Sequence, residues 1–187
     1  TSQFPRNGLT IKEMTAPQRQ RALDLLRVSL SETGYRTATA IMAHEDILRA
    51  VEAAARGGRA GGTVRDPELY FFSVFGEPGA HARWGWRVEG HHMSLHVSID
   101  NGKLAVSSTP LFFGANPADV REGPQTGLRI LGAQEDTARA LLAALDDTAR
   151  ATALIAPTAP TDIVTMTTIQ VDPLSPAGLA ASAMTRP

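Results

Sequence analysis

The segment from Trp84 to His96 concentrates the residues of this chain that could do chemistry. It reads WGWRVEGHHMSLH and holds both tryptophans, three of the five histidines and one carboxylate. Imidazole nitrogens and carboxylate oxygens ligate transition metals and act as general acids and bases. The composition of this segment therefore predicts the functional centre of the protein.

Strand geometry decides which of these side chains could act together. If the segment is one regular strand, alternation places Glu89 and His91 on one face and His92 on the other. Glu89 and His91 would then be roughly 6–7 Å apart, close enough to share a metal ion or a water molecule, whereas His92 and His96 would be about 13 Å apart. His91 and His92 could share an ion only where the strand is broken, and Gly90 offers such a place.

We therefore take Glu89 and His92 as candidate catalytic residues, and His91 and His92 as candidate ligands of a divalent transition metal. The candidate binding residues are Trp84, Trp86, Arg87 and Asn116. Structural interpretations stand beside these. Arg87 and Glu89 could form an ion pair, the histidines could be ordinary half-buried imidazoles, and the tryptophans could belong to the core.

Composition narrows the classes of function. There are no cysteines among the 187 residues, which excludes disulfides, thiolate metal sites and cysteine nucleophiles. The net charge of −1 carries no basic field, so we expect a small-molecule ligand rather than nucleic acid. No apolar run reaches the length of a membrane span, so we expect a soluble protein. Because the chain begins with Thr1, it could be cytoplasmic or exported after loss of a signal.

Helical patterns dominate the first part of the chain. Thr15 as N-cap, with Pro17 in the first turn and Gln18 three residues on, predicts a helix start. Its apolar stripe is Ala22, Leu25, Leu26 and Leu30. A second helix is predicted over 35–55, with charged residues such as Glu45 away from an apolar side formed by Ile41, Met42, Ile47, Leu48 and Val51.

Strand patterns follow the glycine-rich segment 57–62. We predict strands over 69–75, 83–99 and 103–107, and Asn101-Gly102 between the last two predicts a tight hairpin. Asn116 would cap a short helix and a longer helix follows from 133. The fold class is thus α+β, a helical hairpin followed by an antiparallel β-sheet and a further helix. We expect a single domain with a helical part 8–56, a β-rich part 65–131, a helix 133–150 and a linker from 156, with one more strand over 163–171.

An internal similarity links the two ends of the chain. GLTIKEMTAP at 8–17 and GLAASAMTRP at 178–187 agree at five of ten positions in the same register. The first copy leads directly into the first predicted helix. We therefore interpret residues 156–187 as a linker and the start of a second repeat, and expect a C-terminal continuation.

Four segments together resemble the domain-of-unknown-function family 3500: RDPE at 65–68, YFFSVFG at 70–76, WGWRVEGHH at 84–92 and TPLFFGANP at 109–117. The family pattern continues after the two histidines as LSLN, where this chain has MSLH. His96 is therefore not expected to be a shared functional residue. The resemblance implies a bacterial protein of uncharacterised role, with a further C-terminal β region that has its own histidines and a tyrosine-rich segment.

Three hypotheses of function remain open. The first is a metal-dependent hydrolase or oxidase that acts on a small polar molecule or a peptide. The second is a non-catalytic binding module built on the strand from Trp84 to His92, with the tryptophans as the recognition face. The third is an assembly role, in which the aromatic strand is a self-association interface.

Overall fold

The structure is a computed structural model that describes residues 5–57, 59, 61–105, 111–161, 175 and 177–184. The chain divides into two compact units after Gly132. Within the described residues, the first unit contains two helices and a six-stranded antiparallel sheet. Among its described residues, the second unit contains two shorter α-helices. No described helix combines the length and the apolar character that crossing a bilayer requires.

Helix α1 spans Ala16–Ser29 and begins as the sequence predicts. The backbone N–H of Thr15 donates to the Gln18 side chain at 2.8 Å, which supplies a partner to a donor at the helix start. Ala22 and Leu26 are buried, and Leu25 and Leu30 pack against the same core. The predicted apolar stripe of this helix is confirmed.

Helix α2 spans Glu32–Ala55 and begins three residues earlier than predicted, because the Ser31 hydroxyl accepts a hydrogen bond from Gly34 N–H at 3.1 Å. The predicted position of Glu45 away from the apolar side is wrong. Glu45 follows Ile41 by four residues and precedes Leu48 by three, so the 3.6-residue period places it on the buried side. The buried residues of α2 are Ala38, Ile41, Met42, His44, Glu45 and Leu48, whereas Val51 is 45% exposed.

All strand pairings of the sheet are antiparallel. The strands are β1 (Leu9–Thr10), β2 (Phe71–Phe75), β3 (Arg83–Glu89), β4 (Met93–Asp100), β5 (Lys103–Ala105) and β6 (Leu111–Phe113). They follow the order β1-β2-β3-β4-β5, and β6 pairs with the other end of β4. Asn101 and Gly102 have positive φ of 51° and 70°, which confirms the predicted tight hairpin between β4 and β5.

The predicted single strand over 83–99 is wrong, because a turn divides it into β3 and β4. Gly90 N–H donates to the carbonyl of Met93 at 2.8 Å and closes this turn. In one continuous strand, Val88 and Leu95 would point to opposite faces. The turn pairs them directly instead, so both strands direct their apolar residues to the same core.

The core lies between the two helices of the first unit and one face of the sheet. Its buried members include Leu26 and Ile41 from the helices and Trp86, Val88 and Leu95 from the strands. The opposite face of β3 and β4 carries the half-buried polar residues Arg87, Glu89, Ser94 and His96. The sheet is thus amphipathic, and the candidate site lies where the β3–β4 turn meets the core.

The turn that closes β3 and β4 depends on the absence of a side chain at Gly90. A Cβ atom there would lie 2.4 Å from ring atoms of Tyr70, which is fully buried. We expect Gly90→Ala to lower the free energy of unfolding by roughly 1–3 kcal/mol, because a buried aromatic ring must move. Gly79→Ala is the matched control, since a Cβ there meets only Ala82 at 3.6 Å. Urea denaturation measures both, and equal stability of the two variants would contradict the prediction.

The C-terminal half of the chain differs from the sequence prediction at two places among the described residues. The predicted helix over 133–150 is two helices, α3 (Gly132–Ala144) and α4 (Asp147–Ala153), because Asp146 caps the second by accepting from Ala149 N–H at 2.8 Å. The short helix predicted at Asn116 is absent among the described residues 111–131, where the chain forms bends and turns instead. The strand predicted over 163–171 lies outside the described residues.

The two copies of the internal repeat have the same local backbone where both are described. Gly8 and Gly178 have positive φ of 128° and 101°. Each is followed at the same spacing by a short 3₁₀ helix, Ile11–Glu13 in the first copy and Ala181–Ala183 in the second. The similarity of these two segments therefore extends from residue identity to conformation.

Candidate metal centre

A carboxylate from helix α2 and two imidazoles from the β3–β4 turn meet at the edge of the core. Glu45, His91 and His92 each present a ligand atom, and these atoms lie within 4.8 Å of one another. Glu45 Oε1 is 3.0 Å from His91 Nδ1 and 3.9 Å from His92 Nδ1. The two imidazole rings have centroids 3.8 Å apart. Two nitrogen donors and one oxygen donor thus converge on one point.

The prediction that His91 and His92 serve opposite faces is wrong. It required a regular strand, and both residues lie in the turn, where side chains do not alternate. The turn follows Gly90, the position at which the sequence allowed a break. As a result, the two neighbouring histidines face the same carboxylate.

Burial sets the protonation of the three groups. Glu45 is only 3% exposed, and desolvation raises its pKa, while the adjacent His92 opposes that rise. Burial lowers the pKa of His91 and of His92 to about 4, helped in His91 by the positive charge of Arg65 and in His92 by the neighbouring His91. Both imidazoles are therefore neutral at pH 7, which leaves them lone pairs for a Lewis acid.

Arg65 lies against His91 and is itself held by a carboxylate of helix α2. The Arg65 guanidinium approaches His91 Nδ1 at 3.1 Å and Nε2 at 3.0 Å. Glu52 accepts from Arg65 through both of its oxygens, at distances of 2.8–3.2 Å. Glu45 and Glu52 are seven residues apart, two turns of the helix, so both face this site. The ion pair offsets the charge of Arg65, which would otherwise repel a cation.

The site opens into a cavity of about 420 Å³. Glu45 and His91 form part of its wall, which also includes Arg6, Arg65, Asp66 and Tyr70. A cavity of this volume lies within the range that small-molecule sites occupy. Two of the three candidate ligands, Glu45 and His91, therefore face a cavity that a small molecule can enter.

A second group of contacts fixes the turn and the helix from the side of β6. His44, the neighbour of Glu45, donates from Nε2 to the carbonyl of Pro117 at 2.9 Å. Gly114 N–H donates to the carbonyl of His92 at 2.8 Å. The segment that follows β6 thus bonds to His44 on the helix and to His92 in the turn, the two elements that supply the candidate ligands. Asn116, a predicted binding residue, is exposed, and its neighbour Pro117 makes the contact.

The other predicted site residues lie elsewhere on the sheet. Glu89 forms an ion pair with Arg87 at 3.0 Å on the outer face, so the structure does not bring it to the histidines. Trp86 is 1% exposed and stacks on Phe72, and Trp84 packs against the same core. His96 lies 3.2 Å from Ser94 on the outer face.

Sequence reasoning missed the groups that complete the site. Glu45, Arg65 and Tyr70 come from segments distant from the histidines along the chain, and only folding brings them together. One signal was present, since Glu45 occupies a position in phase with the apolar residues of its helix. A carboxylate at such a position is buried at a cost unless it is paired, which is typical of a functional group.

Comparison with known proteins agrees with the resemblance seen in the sequence. The model of the family "Protein of unknown function (DUF3500)" matches residues 1–187. The chain belongs to this family. No curated protein and no solved structure matches the DUF3500 chain. Its function must therefore be argued from the site itself.

Proposed function

We propose that this DUF3500 chain binds one divalent transition metal ion through Glu45, His91 and His92, as the centre of an enzyme. The observation that carries the proposal is the convergence of the three ligand atoms within 4.8 Å. Two imidazoles and one carboxylate are a donor set that suits zinc and non-haem iron. Three protein ligands also leave coordination positions for a substrate, as in catalytic sites.

The chemistry of the three groups fits a cation. The Glu45 carboxylate is buried in the core, and the two imidazoles beside it carry no positive charge at pH 7 to balance its negative charge. A divalent ion would favour its ionised form and offset the cost of burying it. The ion pair between Arg65 and Glu52 adds no net charge beside it.

We assign the reaction to hydrolysis or oxidation of a small polar or peptide substrate. A bound divalent metal supplies Lewis acidity. The chain itself supplies the cavity of about 420 Å³, which limits the size of the substrate. Tyr70 and Arg65 line this cavity. Their hydroxyl and guanidinium groups can orient polar groups of a substrate by hydrogen bonds.

A binding module based on the tryptophans has less support. Its recognition face would need exposed indoles, whereas Trp86 is 1% exposed and Trp84 packs against the core. The burial of these rings is that of core residues.

Metal titration tests the proposal directly. The full chain, freed of metal with a chelator, is titrated with Zn²⁺ and with Co²⁺, and bound metal is measured by calorimetry and elemental analysis. We expect close to one equivalent per chain and an increase in thermal stability that depends on metal concentration. Binding of less than about a tenth of an equivalent of either ion would refute the metal centre.

A further inference from the structure

The guanidinium of Arg6 is an unmatched positive charge on the cavity wall. Arg6 is half-buried and lines the same cavity as Glu45 and His91. No hydrogen bond or ion pair to it is found among the described residues. It shares this wall with Tyr70 and His91.

The other charged groups of this wall already have partners in the described part of the chain. They are the pairs Arg65–Glu52 at 2.8 Å, Asp66–Lys12 at 2.7 Å and Glu45–His91 at 3.0 Å. Each of these contacts leaves its group less able to bind a charged ligand. Arg6 is thus the group on the described wall with its five N–H donors still available.

A second unpartnered donor lies on the same wall. Tyr70 is 0% exposed, and its hydroxyl donates to no acceptor among the described residues, although the backbone N–H of His92 lies close enough to lower its pKa. Burial raises the pKa of Tyr70, so the hydroxyl keeps its proton. A buried hydroxyl without an acceptor costs free energy, and such a group in a cavity wall is expected to find its acceptor in a ligand.

We propose that Arg6 and Tyr70 bind the carboxylate group of a small organic acid in this cavity. The inference rests on the proposed function in so far as it names the substrate class of that metal centre. The planar guanidinium of arginine matches the two oxygens of a carboxylate, and the tyrosine hydroxyl adds a third donor. With the carboxylate held at this wall, the rest of the acid occupies the cavity that Glu45 and His91 face.

Charge supports an acid over a neutral or cationic ligand. Arg65 and Asp66 are neutralised by their partners Glu52 and Lys12, and Arg6 balances the carboxylate of Glu45, because the neighbouring His91 is neutral at pH 7. A divalent ion bound at Glu45 would then make the described wall positive. An anionic ligand is complementary to Arg6 and to that ion, and its approach is favoured at low ionic strength.

The anion site is tested on the metal-free full chain, so that its failure is separate from failure of the metal centre. Acetate, succinate and benzoate are titrated by calorimetry at low salt, each beside its neutral amide. We expect saturable binding of at least one acid in the millimolar range, and at least tenfold weaker binding of its amide. The expected loss is at least tenfold for Arg6→Gln, which removes the charged guanidinium and its paired donors, and about threefold to tenfold for Tyr70→Phe, which removes a single hydroxyl donor.

Arg36→Gln is the matched control, since Arg36 is an exposed arginine of helix α2 that does not line the cavity. It should bind the acid as the wild type does. Saturable binding of none of the three acids, or equal binding by Arg6→Gln and wild type, would overturn the proposal. Zn²⁺ titration of the same preparations reports on the metal centre independently, and Arg6→Gln should retain its equivalent of metal.

Discussion

Replacement of Glu45 with glutamine is expected to lower the affinity for Zn²⁺ by at least about 100-fold, because loss of a ligand exceeds the 10–100-fold loss seen for groups that only support ligands. Glutamine has the same shape but lacks the negative charge that a divalent ion requires. Since Glu45 is 3% exposed, the neutral amide also removes a buried charge. The Glu45→Gln chain should therefore remain folded, and its thermal midpoint without metal should not fall.

The matched control is Glu89→Gln. Glu89 is the carboxylate that sequence alone places beside the histidines, yet it pairs with Arg87 on the outer face of the sheet. Competition titration against a chromophoric chelator measures both variants and the wild type. Glu89→Gln should bind Zn²⁺ within about twofold of the wild type, since it removes only an ion pair on the opposite face of the sheet from the metal ligands. Loss of metal in Glu89→Gln with retention in Glu45→Gln would contradict the assignment.

The second large effect concerns the two neighbouring histidines. His91→Ala and His92→Ala should each lower Zn²⁺ affinity by at least about 100-fold, by the same reasoning on lost ligands. The double variant should bind no measurable metal, because the one remaining ligand, Glu45, cannot hold a divalent ion against water. Calorimetry of the chelator-treated chain measures all three.

His96→Ala is the control for this pair, because His96 lies on the outer face beside Ser94. Its Zn²⁺ affinity should equal that of the wild type. The Co²⁺ complex gives a second readout, since replacement of a nitrogen ligand changes its visible absorption spectrum. If His91→Ala or His92→Ala leaves both affinity and spectrum unchanged, that residue is not a ligand.

Site residues from the turn between β3 and β4 could be predicted only in part. The sequence singled out His91 and His92 and marked Gly90 as a place where a strand could break. It assigned them to opposite faces, because the apolar residues on either side suggested one long strand. Pairing between Val88 and Leu95 corrects this, since a hairpin buries both on one face and a continuous strand cannot.

The carboxylate of the site shows a second limit of prediction from sequence. The sequence offered Glu89, two residues from His91, because local spacing is what a strand pattern reveals. The structure brings Glu45 instead, 46 residues from His91 along the chain. That contact depends on how α2 packs against the sheet. The helical period indicates that Glu45 is buried, but not which residues it meets.

By itself, the sequence determined the local features of this protein: the start of its first helix, the hairpin at Asn101, the α+β class and the segment that carries the histidines. These follow from caps, turns and apolar periods, which act over a few residues. Only the tertiary structure decided which groups meet. Packing of α2 on the sheet buries Glu45 beside His91 and His92, and the turn at Gly90 directs both histidines to it. Contacts of this kind arise from burial of apolar faces, which brings together residues that are distant in the chain.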